Sequence, residues 1–212
     1  KKGKIFYISL QRCGTKSFST CFKNNGYKVA TWENTNAHDW VRKVFEGRYE
    51  EVINSKFFKN AQVFDDSPWY MVPFMKYLYQ KLPQSKFVYF HRPAKDWFRS
   101  MISHSKGETL GVPKRHCEFY NRLEEYFHGI DHLENMPEEK LNLSNQEAHY
   151  IKQHRKHQLE IRNFFEHAPS ERFFYGELYD EDKYKKLSNA FNLDLTYQHD
   201  VHIHRSKLKI SD

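Results

Sequence analysis

Five short runs rich in aromatic and β-branched residues punctuate the chain, at 5–8, 27–32, 61–64, 86–91 and 171–175. Near-continuous apolar runs of this length are what strands of a parallel sheet, covered on both faces, require. Between them the apolar positions change to helical spacing. Phe18, Cys21 and Phe22 stand at i, i+3, i+4 and predict a helix over 15–25, stopped by Asn24-Asn25-Gly26 with Gly26 at the left-handed cap. Residues 36–57 predict a helix in two pieces broken near Gly47, with Trp40, Val44 and Phe45 on one stripe and Val52, Ile53, Phe57 and Phe58 on another. Further helices are predicted over 71–81, from Pro93 onward at the first helical position, and over 180–191. Strand and helix alternate, which predicts an α/β domain built on a parallel sheet.

The alternation breaks over 105–143. Lys106-Gly107-Glu108 and Gly111-Val112-Pro113 are turn-rich, a helix is predicted over 114–127, and 131–142 is polar enough to be a loop. We read 1–212 as a single domain and 105–143 as an insertion that binds an acceptor, the alternative being a plain surface excursion. Ser144-Asn145-Gln146-Glu147 has the form of a capping box and opens a long helix to about residue 167. That helix carries the basic run Lys152-Gln153-His154-Arg155-Lys156-His157, either a solvated face or a rim that attracts an acidic substrate.

Composition narrows the partners. The 212 residues are 39% hydrophobic, with 18 Phe and 14 Tyr supplying bulky core material. The formal net charge of +7 favours anionic partners such as a nucleotide cofactor or an acidic glycan. No long Lys/Arg block argues for a nucleic-acid tail, and no nucleic-acid partner is expected. Cys13, Cys21 and Cys117 are odd in number and form no CxxC pair, which points to a reducing, cytoplasmic compartment. No apolar run reaches transmembrane length and no signal peptide is visible, so the expectation is a soluble protein, or else a lumenal catalytic domain cut from a longer anchored one.

Candidate chemistry lies at the ends of the strands. After the first comes Arg12-Cys13-Gly14-Thr15-Lys16-Ser17. Gly14 lets the backbone pass close to a ligand, and the helix start that follows offers unpaired N–H groups and a positive dipole end. Arg12, Lys16 and the hydroxyls of Thr15 and Ser17 add charge and donors, so the turn suits a phosphate or sulfate ester. It is not a Walker A loop, because Thr15 separates Gly14 from Lys16. The third strand ends in Asp65-Asp66-Ser67-Pro68-Trp69-Tyr70, a carboxylate pair at the strand end of an open α/β sheet. Asp66 or Ser67 is alternatively a cap for the next helix. Arg92 ends the fourth strand and Ser100 follows eight residues later, about two helical turns on. Both suit one phosphate over the sheet edge. Trp69, Tyr70 and Trp97 belong to the core or to an aromatic or sugar pocket. In the tail, His199, His202 and His204 lack a matching Cys or acidic constellation, so no metal site is expected.

In combination these segments resemble the sulfotransferases that use 3′-phosphoadenosine 5′-phosphosulfate (PAPS). Arg12 to Ser17 is similar to their 5′-phosphosulfate loop. Arg92 to Ser100, with Lys95-Asp96 inside it, is similar to their 3′-phosphate signature. Phe173-Phe174-Tyr175-Gly176-Glu177-Leu178 and the helix after it resemble their last strand and helix. The resemblance implies a three-layer P-loop-like α/β fold with a central parallel sheet of about five strands flanked by helices. It implies sulfuryl transfer from PAPS to a hydroxyl or amine of a glycan or small molecule, leaving adenosine 3′,5′-bisphosphate. Arg12, Cys13, Gly14, Thr15, Lys16 and Ser17 would hold the 5′-phosphosulfate, with Arg12 and Lys16 also assisting catalysis, and Arg92 and Ser100 the 3′-phosphate.

The chain departs from the family in places. Cytosolic members carry lysine where Arg12 stands and use a histidine base, while glycan-modifying members carry glutamate in a Glu-Lys-Ser/Thr-Pro segment. Aligning the proline puts Asp65 on that glutamate. A third branch has Asp two before a proline, which selects Asp66, the residue we prefer as base. His91 and His104 are further candidates. The usual C-terminal glycine-rich motif is not apparent, and Arg205 and Lys207 are assigned part of its work. Two other readings remain: a nucleotide or small-molecule kinase on a related fold, and a non-enzymatic module for polyanions.

Overall fold

A computed structural model of the protein describes residues 3–122 and 142–196. These fall into two compact units, residues 3–92 with 160–196 and residues 93–122 with 142–159. The first unit holds five strands: β1 (Ile5–Tyr7), β2 (Val29–Ala30), β3 (Val63–Phe64), β4 (Lys86–His91) and β5 (Phe173–Glu177). All pair in parallel, in the order β2-β3-β1-β4-β5.

Side-chain alternation along the strands divides the core. Phe6, Ile8, Phe64, Phe87 and Tyr89 face one side. After β2 comes α2 (Trp32–Ala37), and beyond it these side chains meet α3 (Trp40–Phe45), α4 (Tyr49–Asn54), α5 (Lys56–Asn60), α6 (Val72–Lys81) and the end of α9 (Glu147–Phe165) through Trp40, Val44, Val52, Phe58, Leu78 and Phe165. Ile5, Tyr7, Val63, Val88 and Phe90 face the other side, against Phe18 and Phe22 of α1 (Thr15–Asn24) and Tyr184 and Leu187 of α10 (Lys183–Phe191). A sheet covered by helices on both faces explains why the strands are apolar throughout rather than alternating. This is the three-layer α/β arrangement expected. Ten helices are present among the described residues.

Several boundaries differ from expectation. The segment predicted as two helices is four, and the first begins at Trp32, predicted as the end of a strand. Asp39 (φ 53°) and Gly47 (φ 72°) take left-handed conformations that end a turn of helix, and Ser55 ends α4 while its Oγ accepts from Phe58 N (3.2 Å) to cap α5. β5 lies two residues later than predicted because it stays paired with β4 as far as His91↔Glu177. Gly176 is therefore a strand residue, and a Cβ there would come within 2.9 Å of Phe174 and 3.2 Å of Phe90. Pro93 is the N-cap of α7 (Ala94–Ser105) rather than its first residue, since its ψ of 133° is extended.

The second unit contains α7, α8 (Pro113–Phe119) and the first part of α9. The helix expected over 114–127 ends at Phe119, where Asn121 turns left-handed (φ 54°). The capping box at Ser144 is not formed. Gln146 N donates to Leu143 O (3.0 Å) in a turn, and α9 starts at Glu147. The unit packs around Trp97, Tyr120 and Tyr150, with His116 Nε2 2.7 Å from the Tyr150 hydroxyl and Arg122 Nη1 donating to it at 2.9 Å. Burial and then the Arg122 charge lower His116 to about 3, so it is a neutral member of this network. Within the basic run, His154 and His157 are buried and Lys152, Arg155 and Lys156 exposed. No helix among the described residues is long and apolar enough to cross a membrane.

Candidate active site

β1 lies between β3 and β4, so the three loops leaving their carboxyl ends emerge side by side. The chain passes from β1 to β2 and β3 on one side, then to β4 and β5 on the other. The crevice beside β1 is therefore the topological switch point, where open α/β sheets bind ligands.

The loop after β1 is built in steps. Ile8 N still donates to Val88 O (2.9 Å), but next the Ser9 hydroxyl accepts from Phe90 N (2.8 Å), so a side chain replaces the ladder where β1 leaves β4. Cys13 N closes a turn onto Leu10 O (3.2 Å). Arg12 (φ 68°) and Gly14 (φ 82°) are left-handed, with Cys13 between them not, an alternation of the kind that frames anion-binding concavities, although the Cys13 N–H itself is taken by Leu10 O. At Gly14 a side chain would be strained by φ alone and would also sit 2.6 Å from Leu178 Cδ1. Two carbonyls of the loop are held from the protein side: the Tyr7 hydroxyl donates to Cys13 O, and Arg92 Nη1 donates to Arg12 O.

Thr15, Lys16 and Ser17 form the first turn of α1, which carries no acidic residue. Their N–H groups have no intrahelical carbonyl to meet, and the dipole end is not neutralised by its own helix. Lys16 is exposed, and Arg12, Gly14, Thr15 and Ser17 are partly so. Burial, then the neighbouring Arg92 charge, lower the Arg12 guanidinium from its ordinary value, with Asp66 opposing. The Cys13 side chain is buried and burial pushes its thiol up to about 12, so a neutral thiol lies under the loop and Cys13 contributes backbone.

The carboxylates after β3 are not alike. Asp65 is 3% exposed, and burial followed by the Asp66 charge raises it well above the usual carboxylate range. Its Oδ1 meets no hydrogen-bond donor among the described residues. Asp66 is half-buried and left-handed (φ 62°), with Oδ1 accepting from Ser67 N (2.8 Å). Burial raises it to about 6, against the lowering effects of that N–H and of Arg12. Neither Asp66 nor Ser67 caps the next helix, as the alternative reading allowed. A turn over 67–70 intervenes, Met71 N donates to Pro68 O (3.0 Å), and α6 begins at Val72 with Met71 as its N-cap. The Ser67–Pro68 peptide is cis.

Arg92 follows β4, its guanidinium 6.0 Å from the Tyr179 ring. His91 is half-buried, its ring stacked 6.3 Å from Tyr175. The first unit thus brings together Arg12 to Ser17, Asp65, Asp66 and Arg92 at one sheet edge. Ser100, buried on α7, and His104, exposed on the same helix, belong to the second unit. Arg205, Lys207 and the histidines at 199, 202 and 204 lie outside the described residues, as does the stretch 123–141 within 105–143. Trp69 and Trp97 are fully buried and Tyr70 nearly so, which places all three in the core. No cluster of metal-binding side chains occurs among the described residues.

Sequence reasoning missed Tyr7, Glu33 and Leu178. Tyr7 had a signal: a tyrosine in a buried strand needs a partner for its hydroxyl. Glu33, one residue into α2, is drawn below its usual range first by the Thr31 hydroxyl, with Lys23 and Lys16 adding to it, and its charge in turn reaches Asp66.

A family model for the sulfotransferase domain matches residues 4–195. The chain belongs to the sulfotransferase domain family. No curated protein matches its sequence. Among solved structures, a sulfotransferase from Alicyclobacillus acidocaldarius shares the fold: TM-score 0.57 at 13% identity, over 98% of this chain and 87% of that one. A gluconokinase from Sinorhizobium meliloti 1021 superposes over 78% of this chain and 98% of its own, at 13% identity and a TM-score of only 0.35. The activity class is therefore transfer of a sulfuryl group from a donor to an acceptor.

Proposed function

We propose that this sulfotransferase domain transfers the sulfuryl group of PAPS to a hydroxyl, or an amine, of a glycan or small-molecule acceptor, with Asp66 as general base. The observation that carries the reading is the pairing, at one switch point, of an anion-directed loop flanked by Arg12 and Lys16 with a half-buried carboxylate raised to about 6. The loop and the α1 N-terminus take the 5′-phosphosulfate. By the family motif, Arg92 and Ser100 take the 3′-phosphate, and Arg205 and Lys207 assist. The segment 105–143 serves the acceptor within a single domain. The acceptor oxygen attacks sulfur in line while its proton passes to Asp66. The bond from sulfur to the 5′-phosphate oxygen breaks, and the electron pair stays on that oxygen, where Arg12, Lys16 and the loop N–H groups stabilise the charge. Asp66 rather than Asp65 suits the base, because a fully buried carboxyl raised well above its usual range holds its proton.

A thermal-shift comparison of adenosine 3′,5′-bisphosphate with AMP and with ATP plus magnesium tests the donor. At a hundredfold excess over Kd the bisphosphate should stabilise by about 3 kcal/mol. AMP should give a clearly smaller shift. A response to ATP with magnesium but not to the bisphosphate would replace this reading with the kinase.

A further inference from the structure

We propose that Tyr7 and Arg92 are positioning residues for the phosphate loop, and that Arg92 thereby couples the two ends of the bound nucleotide. The inference rests on the nucleotide reading above. In a trans peptide the C=O and N–H point in opposite directions, so a side chain that fixes the carbonyl also aims the N–H. The Tyr7 hydroxyl holds the carbonyl of Cys13, which turns the N–H of Gly14 away from the core. Arg92 holds the carbonyl of Arg12, which keeps the N–H of Cys13 on Leu10 O. These are the two consecutive peptides on which the alternation at 12–14 depends. Arg12 is left-handed without being glycine, a conformation that persists only where the surroundings impose it.

The anchors are themselves fixed. Tyr7 is fully buried, its ring stacked 4.3 Å from Phe18 of α1, and burial holds its hydroxyl in the donor form. Arg92 is partly exposed at the end of β4 and presents further guanidinium donors beyond the one on Arg12. A 3′-phosphate on those donors steadies the same group that steadies the loop. Such coupling is reciprocal: a filled 3′ site favours the 5′ end and the reverse.

The test is calorimetric titration of AMP and adenosine 3′,5′-bisphosphate into wild type, Tyr7→Phe and Arg92→Ala, well below each protein's unfolding midpoint. AMP offers Arg92 no 3′-phosphate. Arg92→Ala should nevertheless weaken AMP roughly three- to tenfold, the loss of one hydrogen bond, and weaken the bisphosphate much further. Tyr7→Phe should weaken both ligands by the same factor of that size and keep the preference between them. Wild-type AMP affinity in both variants, even with lowered midpoints, would mean a structural role only and overturn the proposal. Wild-type AMP affinity in Arg92→Ala alone would overturn the coupling. Should Arg92→Ala fail to fold, Arg92→Met, which keeps an aliphatic stem and removes the donors, takes its place under the same criteria. If wild type shows no preference for the bisphosphate while both variants still lose AMP, the 3′-phosphate assignment falls and loop positioning stands. Wild type that binds neither nucleotide overturns both.

Discussion

At the scale of single residues, the two aspartates after β3 show what burial adds to a motif. In sequence they are adjacent, and only the choice of which family branch to align on the proline favours Asp66 over Asp65. In the fold Asp65 is buried and Asp66 only half-buried, a distinction set by which side chain the strand end turns inward, and invisible in the order of letters. Asp66→Asn should lower kcat by about two to four orders of magnitude, the range for loss of a general base, with bisphosphate affinity nearly intact. The base acts deprotonated, so wild-type turnover should fall as pH drops through about 6. The stability effect has the opposite sign. A carboxyl raised in the folded state holds a proton that the unfolded chain has released between about pH 4 and 6, so its ionisation costs stability above that window. Asp66→Asn should therefore raise the melting temperature at pH 8, by an effect on the order of 1–3 kcal/mol that fades below pH 4. Equal melting curves at pH 8 together with normal turnover would remove Asp66 from the site.

At the scale of elements, legibility followed the reach of the signal. β4 was readable to the residue because its apolar run has clear polar ends. α2 to α5 were not, because left-handed Asp39 carries no mark that separates it from a helical aspartate. β5 runs past its predicted end at 175 because Gly176 stays in the ladder with β4, where Phe90 and Phe174 crowd the space that a side chain would fill. The cations at the opposite edge of the sheet were read only as charge. Lys4 Nζ donates to Phe58 O (2.7 Å), Lys59 O (3.2 Å) and Ala61 O (2.6 Å), so its three protons close the end of α5. Arg172 does similar work, donating to Tyr79 O, Leu82 O and Ser85 O with its guanidinium 3.6 Å from the Tyr79 ring centroid. Lys4→Met keeps the aliphatic stem and removes the donors. It should cost about 1–3 kcal/mol in urea denaturation and leave bisphosphate affinity unchanged. Unaltered stability would show that water replaces those bonds without loss.

At the scale of the whole molecule, the charge of +7 admits both an enzyme for an anionic nucleotide and a module that holds polyanions. Where the cations stand separates these readings. Lys4 and Arg172 are engaged by backbone carbonyls at the amino edge of the sheet, and Arg48 is bound to Glu46 and Glu51. Arg12, Lys16 and Arg92 sit instead around one loop at the carboxyl edge. Binding that neutralises many phosphates releases many counterions and falls steeply with salt, without regard to where a single phosphate is attached. A compact site with a few directed cations and N–H donors loses affinity more gently and keeps its geometry. We therefore expect affinity for adenosine 3′,5′-bisphosphate to decline only modestly between about 50 and 200 mM salt. A polyanion module making 6–10 phosphate contacts would lose roughly three to five orders of magnitude over that range. The ratio of bisphosphate to AMP affinity should survive the change, because it reflects one phosphate in one place rather than total charge. A ratio that collapses to unity as salt rises, alongside steeply salt-dependent binding of a heparin oligosaccharide, would instead mark this edge as a polyanion surface.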